Sequence, residues 1–259
     1  MSDQREQDFF IGWAKTPRGL LPLMAAIAAT LITGFVGLAL AIGSAKPDPG
    51  PAAFRFDWGR QTFEGVLIAA PYPTITVTKG AAHVSTGHTI MLSGQGKRGV
   101  QNRAAQLNGQ LVEASGVLLK RGDLDMLQAR GGMNGLKAAA SAAETAPSAQ
   151  PPDRSLGRWR LTGEVCDGKC LAGAMRPGTG LAHKACANLC IHGGAPPVFA
   201  AAGPVEGSEY LLLANAEGGP IGPELYDLVG RLTTLEGEIV RRGDLLIFRA
   251  DIARARFLP

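Results

Sequence analysis

Aromatic residues are scarce in this chain, with three Trp, three Tyr and nine Phe among 259 residues. Together with 35 Gly and 17 Pro, that scarcity suits short strands and many turns better than a helical bundle. Blocks of basic charge are also missing. The net charge of +4 is spread over scattered Lys and Arg, which excludes the electrostatic footprint of a dedicated nucleic-acid binder. GKRGVQNR (96–103) holds three basic residues but no interleaved aromatics, so it makes a patch and not a strand-binding groove. There is no phosphate loop, no Gly-x-Ser-x-Gly elbow and no convincing acid–base pair or triad. Cysteine is rarer still. All four cysteines lie between 166 and 190, with neither a Cys-x2-Cys knuckle nor the Cys-x-x-Cys-His of covalent haem attachment.

One long apolar run is present. Residues 19–43, GLLPLMAAIAATLITGFVGLALAIG, carry no charge, and about 20 such residues cross the hydrocarbon core as a helix. The run exceeds the ~7–15 residues of a signal-peptide core, which favours an uncleaved anchor over a cleaved leader. Lys15 and Arg18 precede it and Lys46 follows. The positive-inside rule then places residues 1–18 in the cytoplasm and the rest in a bacterial periplasm, on a single-pass inner-membrane protein. Phe9, Phe10 and Trp13 suit the membrane interface, and Gly34 and Gly37 would let another membrane helix approach.

Beyond the anchor, SAKPDPGPA (44–52) and the Gly/Ala/Ser/Pro-rich stretch 131–155 read as linkers. They delimit two blocks, 53–130 and 156–259, that repeat each other. GVLLKRGDLDMLQA (116–129) lies over GEIVRRGDLLIFRA (237–250) at an offset of 121. The same offset aligns LNGQL (107–111) with LVGRL (228–232), and HTIML (88–92) with EYLLL (209–213). FEGVLI (63–68) matches LTGEVC (161–166) at an offset of 98, so the second copy holds 23 extra residues between Cys166 and Glu209. In each copy apolar runs flank an Arg-Gly turn, where Gly122 and Gly243 supply positive φ. Gly109 and Gly116 mark bends in a curling sheet. The expectation is a mainly β protein. An N-terminal transmembrane helix precedes two tandem small OB-like barrels, the second with a Cys-rich helical insertion at 166–194. SH3-like barrels and open sandwiches also fit the pattern. The duplicated Arg-Gly-Asp reads as turn chemistry and not as an adhesion signal.

Cys166, Cys170, Cys186 and Cys190 form two Cys-x3-Cys pairs separated by fifteen residues. Outside the cytoplasm an even, clustered set favours disulfides. Two helical turns packed antiparallel about RPGTG (176–180) would join Cys166 to Cys190 and Cys170 to Cys186, the spacing of twin Cys-x3-Cys helical hairpins. The rival reading is a metal or Fe–S cluster on the four cysteines, with His183, His192 and Met175 as auxiliary ligands. Thiol oxidoreduction through Cys190 beside His192 is the third. His83 and His88 read as surface histidines, Asp123 and Asp244 as hairpin residues, and PYP (71–73) as a rigid turn. The pattern Lys169, Cys170, Gly173, Met175, Pro177, Gly178, then His183, Cys186, Cys190, Ile191, then Gly193, Gly194, Pro196, Pro197 resembles a segment of bacterial membrane-anchored proteins of unassigned function. It covers under a fifth of the chain, and the resemblance implies a unit and no activity. The functional expectation is a non-catalytic accessory or assembly subunit of an inner-membrane, respiratory or redox complex. It would hold no cofactor, dock other subunits through the cysteine-stapled insertion and bind no nucleic acid.

Overall fold

The computed structural model describes residues 19–45, 51–132, 134–140 and 152–258. The proposed cytoplasmic segment 1–18 and parts of both linkers, 46–50, 133 and 141–151, lie outside the described residues. The chain divides into two units, Met1–Asp48 and Pro49–Pro259.

Among the described residues the first unit holds one helix, α1 (Leu21–Ala45). Leu, Ala and Met favour the helix, and Pro22 stands in the first turn, where its missing N–H costs nothing. Thr30 and Ser44 return their hydroxyls to the carbonyls of Ala26 and Ala41. Leu21–Ser44 is long and apolar enough to cross a membrane as a span or signal anchor.

The second unit holds two closed five-stranded barrels. In the first, β2 (Gln61–Ile68), β3 (Thr74–Lys79), β4 (Thr89–Ser93), β5 (Leu111–Arg121) and β6 (Leu124–Ala129) close in the order β2-β3-β4-β6-β5-β2. Only β4 and β6 run parallel. The short strands β1 (Ala53–Phe54) and β7 (Leu136–Ala138) add to β5, and α2 (Gln101–Gln106) bridges β4 to β5. The second barrel repeats this with β8 (Arg154–Asp167), β9 (Pro197–Val205), β10 (Ser208–Asn215), β11 (Leu232–Arg242) and β12 (Leu245–Ala250). There β10 and β12 form the parallel pair, and β13 (Arg256–Phe257) adds to β11. Part of the stretch read as a linker is therefore strand: β7 lies inside it, and β8 starts at Arg154. Gly109 also departs from its expected place, since it sits at φ +75° in the turn before β5 and not within a strand.

The repeated glycines explain why the sheets close. A methyl group at Gly116 would strike the carbonyl oxygen of Gln128, and one at Gly237 would strike that of Arg249. At the same point of each barrel the neighbouring strand crosses too closely for a side chain. The hairpins turn at Gly122 and Gly243, with φ of 58° and 59°.

Register locates the extra chain. Val66 pairs with Thr76 and its counterpart Glu164 with Ala200, so the offset between copies rises from 98 to 124 between the first and second strands. Gly168–Pro196 thus replaces the short connection Ala69–Pro73 of the first barrel. It contains a π-turn (Cys170–Ala174), a 3-10 turn (Leu181–His183) and α3 (Lys184–His192).

Each barrel has its own core, around Phe63, Leu67 and Leu127 in the first and Phe199, Leu211 and Phe248 in the second. A third apolar cluster joins them. Met91, Leu119 and Met126 of the first barrel pack with Val198, Tyr210, Leu212 and Ile247 of the second. Burial on both faces is why these strands read as continuous apolar runs and do not alternate. Each such side chain contributes about 1.5–3 kcal/mol by leaving water. Polar ties reinforce the contact: Arg242 holds Asp153 through two bonds of 2.9 Å and donates to the Ala70 carbonyl. The start of the body is pinned too. β1 lies on β5, Arg176 donates to the Ala52 carbonyl, and Ala53 presses against Gly173.

Candidate metal centre

The cysteine segment is organised from the end of β8. Successive strand residues point to opposite sides, so Cys166 and Asp167 part company. Cys166 enters the inter-barrel cluster and donates to Glu164. Burial first, then the Glu164 charge, push its thiol well above the ordinary range. Asp167 turns the other way and is fully buried. One of its oxygens accepts the Cys170 N–H at 2.8 Å, which shapes the turn after the strand. The other accepts Nε2–H of His183 at 3.0 Å.

His183 is itself buried and stands at the start of α3. Its Nδ1 stands 3.0 Å from the Met175 sulfur. On α3, Cys186 and Cys190 are one turn apart on one face. Cys170 and Cys190 pack together with Cys186 and Ala195. Ligand-capable atoms of Cys170, His183 and Cys186 lie within 4.8 Å of one another, as do those of Asp167, Cys170 and Cys190.

Two ammonium groups attend these sulfurs. Lys97, from the first barrel, donates to Cys186 at 2.7 Å and reaches Cys190 at 3.7 Å. Its hydrogen bond to Cys186 raises its affinity for the proton. Lys169 is buried and donates to the carbonyls of Gly94 and Gly96 at 2.6 and 2.7 Å. Burial lowers its pKa, against the opposing pull of Cys190, Cys170 and Asp167. The Cys170 thiol donates to the Cys190 sulfur and, despite burial and the Asp167 charge, Cys190 is held down to about 7 with help from Lys97. Cys170 moves the opposite way, chiefly through that same hydrogen bond.

The geometry revises the expected pairings. All four cysteines are free. Cys166 stands with the inter-barrel core and not with Cys190, so an outer Cys166–Cys190 bridge is not what the fold assembles. Nor do Cys166 and Cys170 share a helix, because β8 ends between them. His192 is likewise not drawn in; its Nδ1 faces the Tyr226 hydroxyl at 3.4 Å. Reading the sequence missed Asp167, and it noted Lys169 and the basic patch holding Lys97 without placing either beside the thiols. Asp167 lies inside Cys-Asp-Gly-Lys-Cys, where a carboxylate beside a thiol was a usable signal, whereas Lys97 is brought in only by the packing of the barrels. His88 was also misjudged. It joins the barrels, with Nε2 2.9 Å from Asp125 and Nδ1 against Asp244, and its pKa rises to about 9 through those hydrogen bonds.

No family model, curated protein or solved structure matches the chain.

Proposed function

We propose that the chain is a membrane-anchored, non-catalytic metal-binding protein whose second barrel holds zinc through Cys170, His183, Cys186 and Cys190. The observation that carries this reading is a pair of donor triads that share Cys170, one with His183 and Cys186 and the other with Asp167 and Cys190, while Asp167 also holds the His183 ring. A carboxylate–histidine pair of this kind orients a metal-bound ring and raises its basicity. Within each triad the donor atoms lie within 4.8 Å of one another, and one bound ion would draw the two triads together toward the spacing of about 3.8 Å that Zn–S bonds of about 2.3 Å impose on a tetrahedron. Three thiolates overcompensate a divalent cation, and Lys97 and Lys169 supply the balancing charge. Four protein ligands leave no open position, which supports a structural or storage role over a catalytic one.

In this reading the barrels are OB-like. The strand order first-second-third-fifth-fourth, with third and fifth parallel, supports that assignment. The cysteine segment is then an insertion in the first connection. The positive charges before α1 favour a periplasmic body on an inner-membrane anchor. The docking role expected from the sequence fits as a second reading, because the insertion exposes Leu181 and Leu189 at 66% and 57%. A metal-clamped insertion would offer both to another subunit of a membrane complex.

The test is native mass spectrometry with elemental analysis on the full chain in detergent. One zinc per chain with four free thiols is the expected result. A mass deficit of two disulfides with no metal overturns the proposal, and copper in place of zinc would transfer the site to Cu(I), with Met175 as a fifth soft donor. A topology reporter after Pro259 tests the orientation.

A further inference from the structure

A cleft of about 1030 Å³ opens where the loop after β4 meets the end of α3. Its size matches the upper range of small-molecule sites. Arg98, Arg103 and Arg130 line it, together with His192, and no carboxylate does so among the described residues. That local imbalance is sharp in a chain with 26 basic and 22 acidic residues. Arg103 is positioned by bonds from Nε to the Leu136 carbonyl and from Nη1 to Gln106. The guanidinium groups of Arg98 and Arg130 have neither a hydrogen bond nor an ion pair among the described residues. Seven glycines line the rest, at 94, 96, 99, 131, 132, 193 and 194, so the wall is largely bare backbone. The wall is also fixed: Gly99 N–H donates to the Gly193 carbonyl at 2.7 Å, and Gln101 holds the Gly194 carbonyl.

We propose that this cleft binds a compact polyvalent oxyanion, of the size and charge of pyrophosphate or a tricarboxylate, through Arg98, Arg103 and Arg130. Guanidinium forks match phosphate and carboxylate oxygens in pairs. No Phe, Tyr or Trp ring lines the walls among the described residues, which disfavours a nucleobase and leaves the charged group as the recognised part. The assignment is independent of the zinc reading.

Calorimetric titration of the full chain in a neutral detergent, with pyrophosphate and separately with citrate, tests it. The comparison is between Arg98→Ala/Arg130→Ala and a control losing the same charge on β8, Arg158→Ala/Arg160→Ala. The expected result is sub-millimolar binding of at least one anion, weakened about tenfold or more only by the cleft substitutions. Preference for pyrophosphate or for citrate identifies the ligand as phosphate- or carboxylate-based. The proposal falls if neither anion binds, or if both double variants weaken binding equally. It falls too if binding disappears after chelator treatment, since the anion would then be coordinating a bound metal. On the unmutated chain, pyrophosphate should shield Arg98 and Arg130 from phenylglyoxal, and absence of shielding counts equally against the site.

Discussion

The two barrels open with the same strand and leave it differently. β2 passes to β3 through Ala69–Pro73, whereas β8 reaches β9 only after Gly168–Pro196. Both connections touch the opposite barrel. The short one does so through the Tyr72 hydroxyl, which accepts the Ile221 N–H, and the long one through Lys169 on the Gly94 and Gly96 carbonyls. Docking therefore does not require the long form. The first barrel closes, packs and docks without a cysteine, so the thiols of the second serve something other than closure. The hairpins offer a second contrast. Asp244 meets His88 and the Thr89 N–H, whereas no such bond is made by the equivalent Asp123 among the described residues, although both line one small cavity with Ser208 and Tyr210.

The largest effect separates the thiols themselves. Cys190→Ser should abolish zinc retention, while Cys166→Ser should leave one zinc per chain; elemental analysis of the two variants decides this. Equal loss in both would break the division between the inter-barrel thiol and the cluster. Asp167→Asn comes next. It keeps the shape but weakens the hold on His183, and it should lower zinc affinity about 10–100-fold in competition with a chromophoric chelator.

Gly116→Ala and Gly237→Ala probe what the barrels share. Each should destabilise by about 1–3 kcal/mol through overpacking, read from denaturant midpoints. Unequal costs would show that the repeat is less exact in packing than in register. The smallest effect concerns the hairpins. The folded pKa of His88 is raised from 6.5 to about 9 by Asp125 and Asp244, with Lys120 as the other charge on Asp125. Its contribution is fully present below about pH 6.5 and is lost as pH rises through about 9. His88→Gln should flatten the pH dependence of the unfolding midpoint across that window, and Glu209→Gln at the opposite hairpin should leave it unchanged.

Much of the fold was legible from the sequence because a duplicated pattern exposes its own register. The offset of 121 set β5 over β11 and β6 over β12, and the shift after FEGVLI located the extra chain. Helix α1 was legible because composition alone decides it. The centre was readable only in part. Spacing along a helix placed Cys186 with Cys190, but a strand end between Cys166 and Cys170 inverts the direction of the first thiol, which no count of intervening residues discloses. Lys97 and His88 lay beyond reach for another reason: their partners are brought to them by the packing of one barrel on the other.

The pinning of Ala52–Phe54 has a mechanical consequence. These residues open the second unit, held between β5 and the turn that begins at Cys170. Were α1 anchored in a membrane, tension passed along the chain would load that seam in advance of either barrel, and the thiol segment would bear it first.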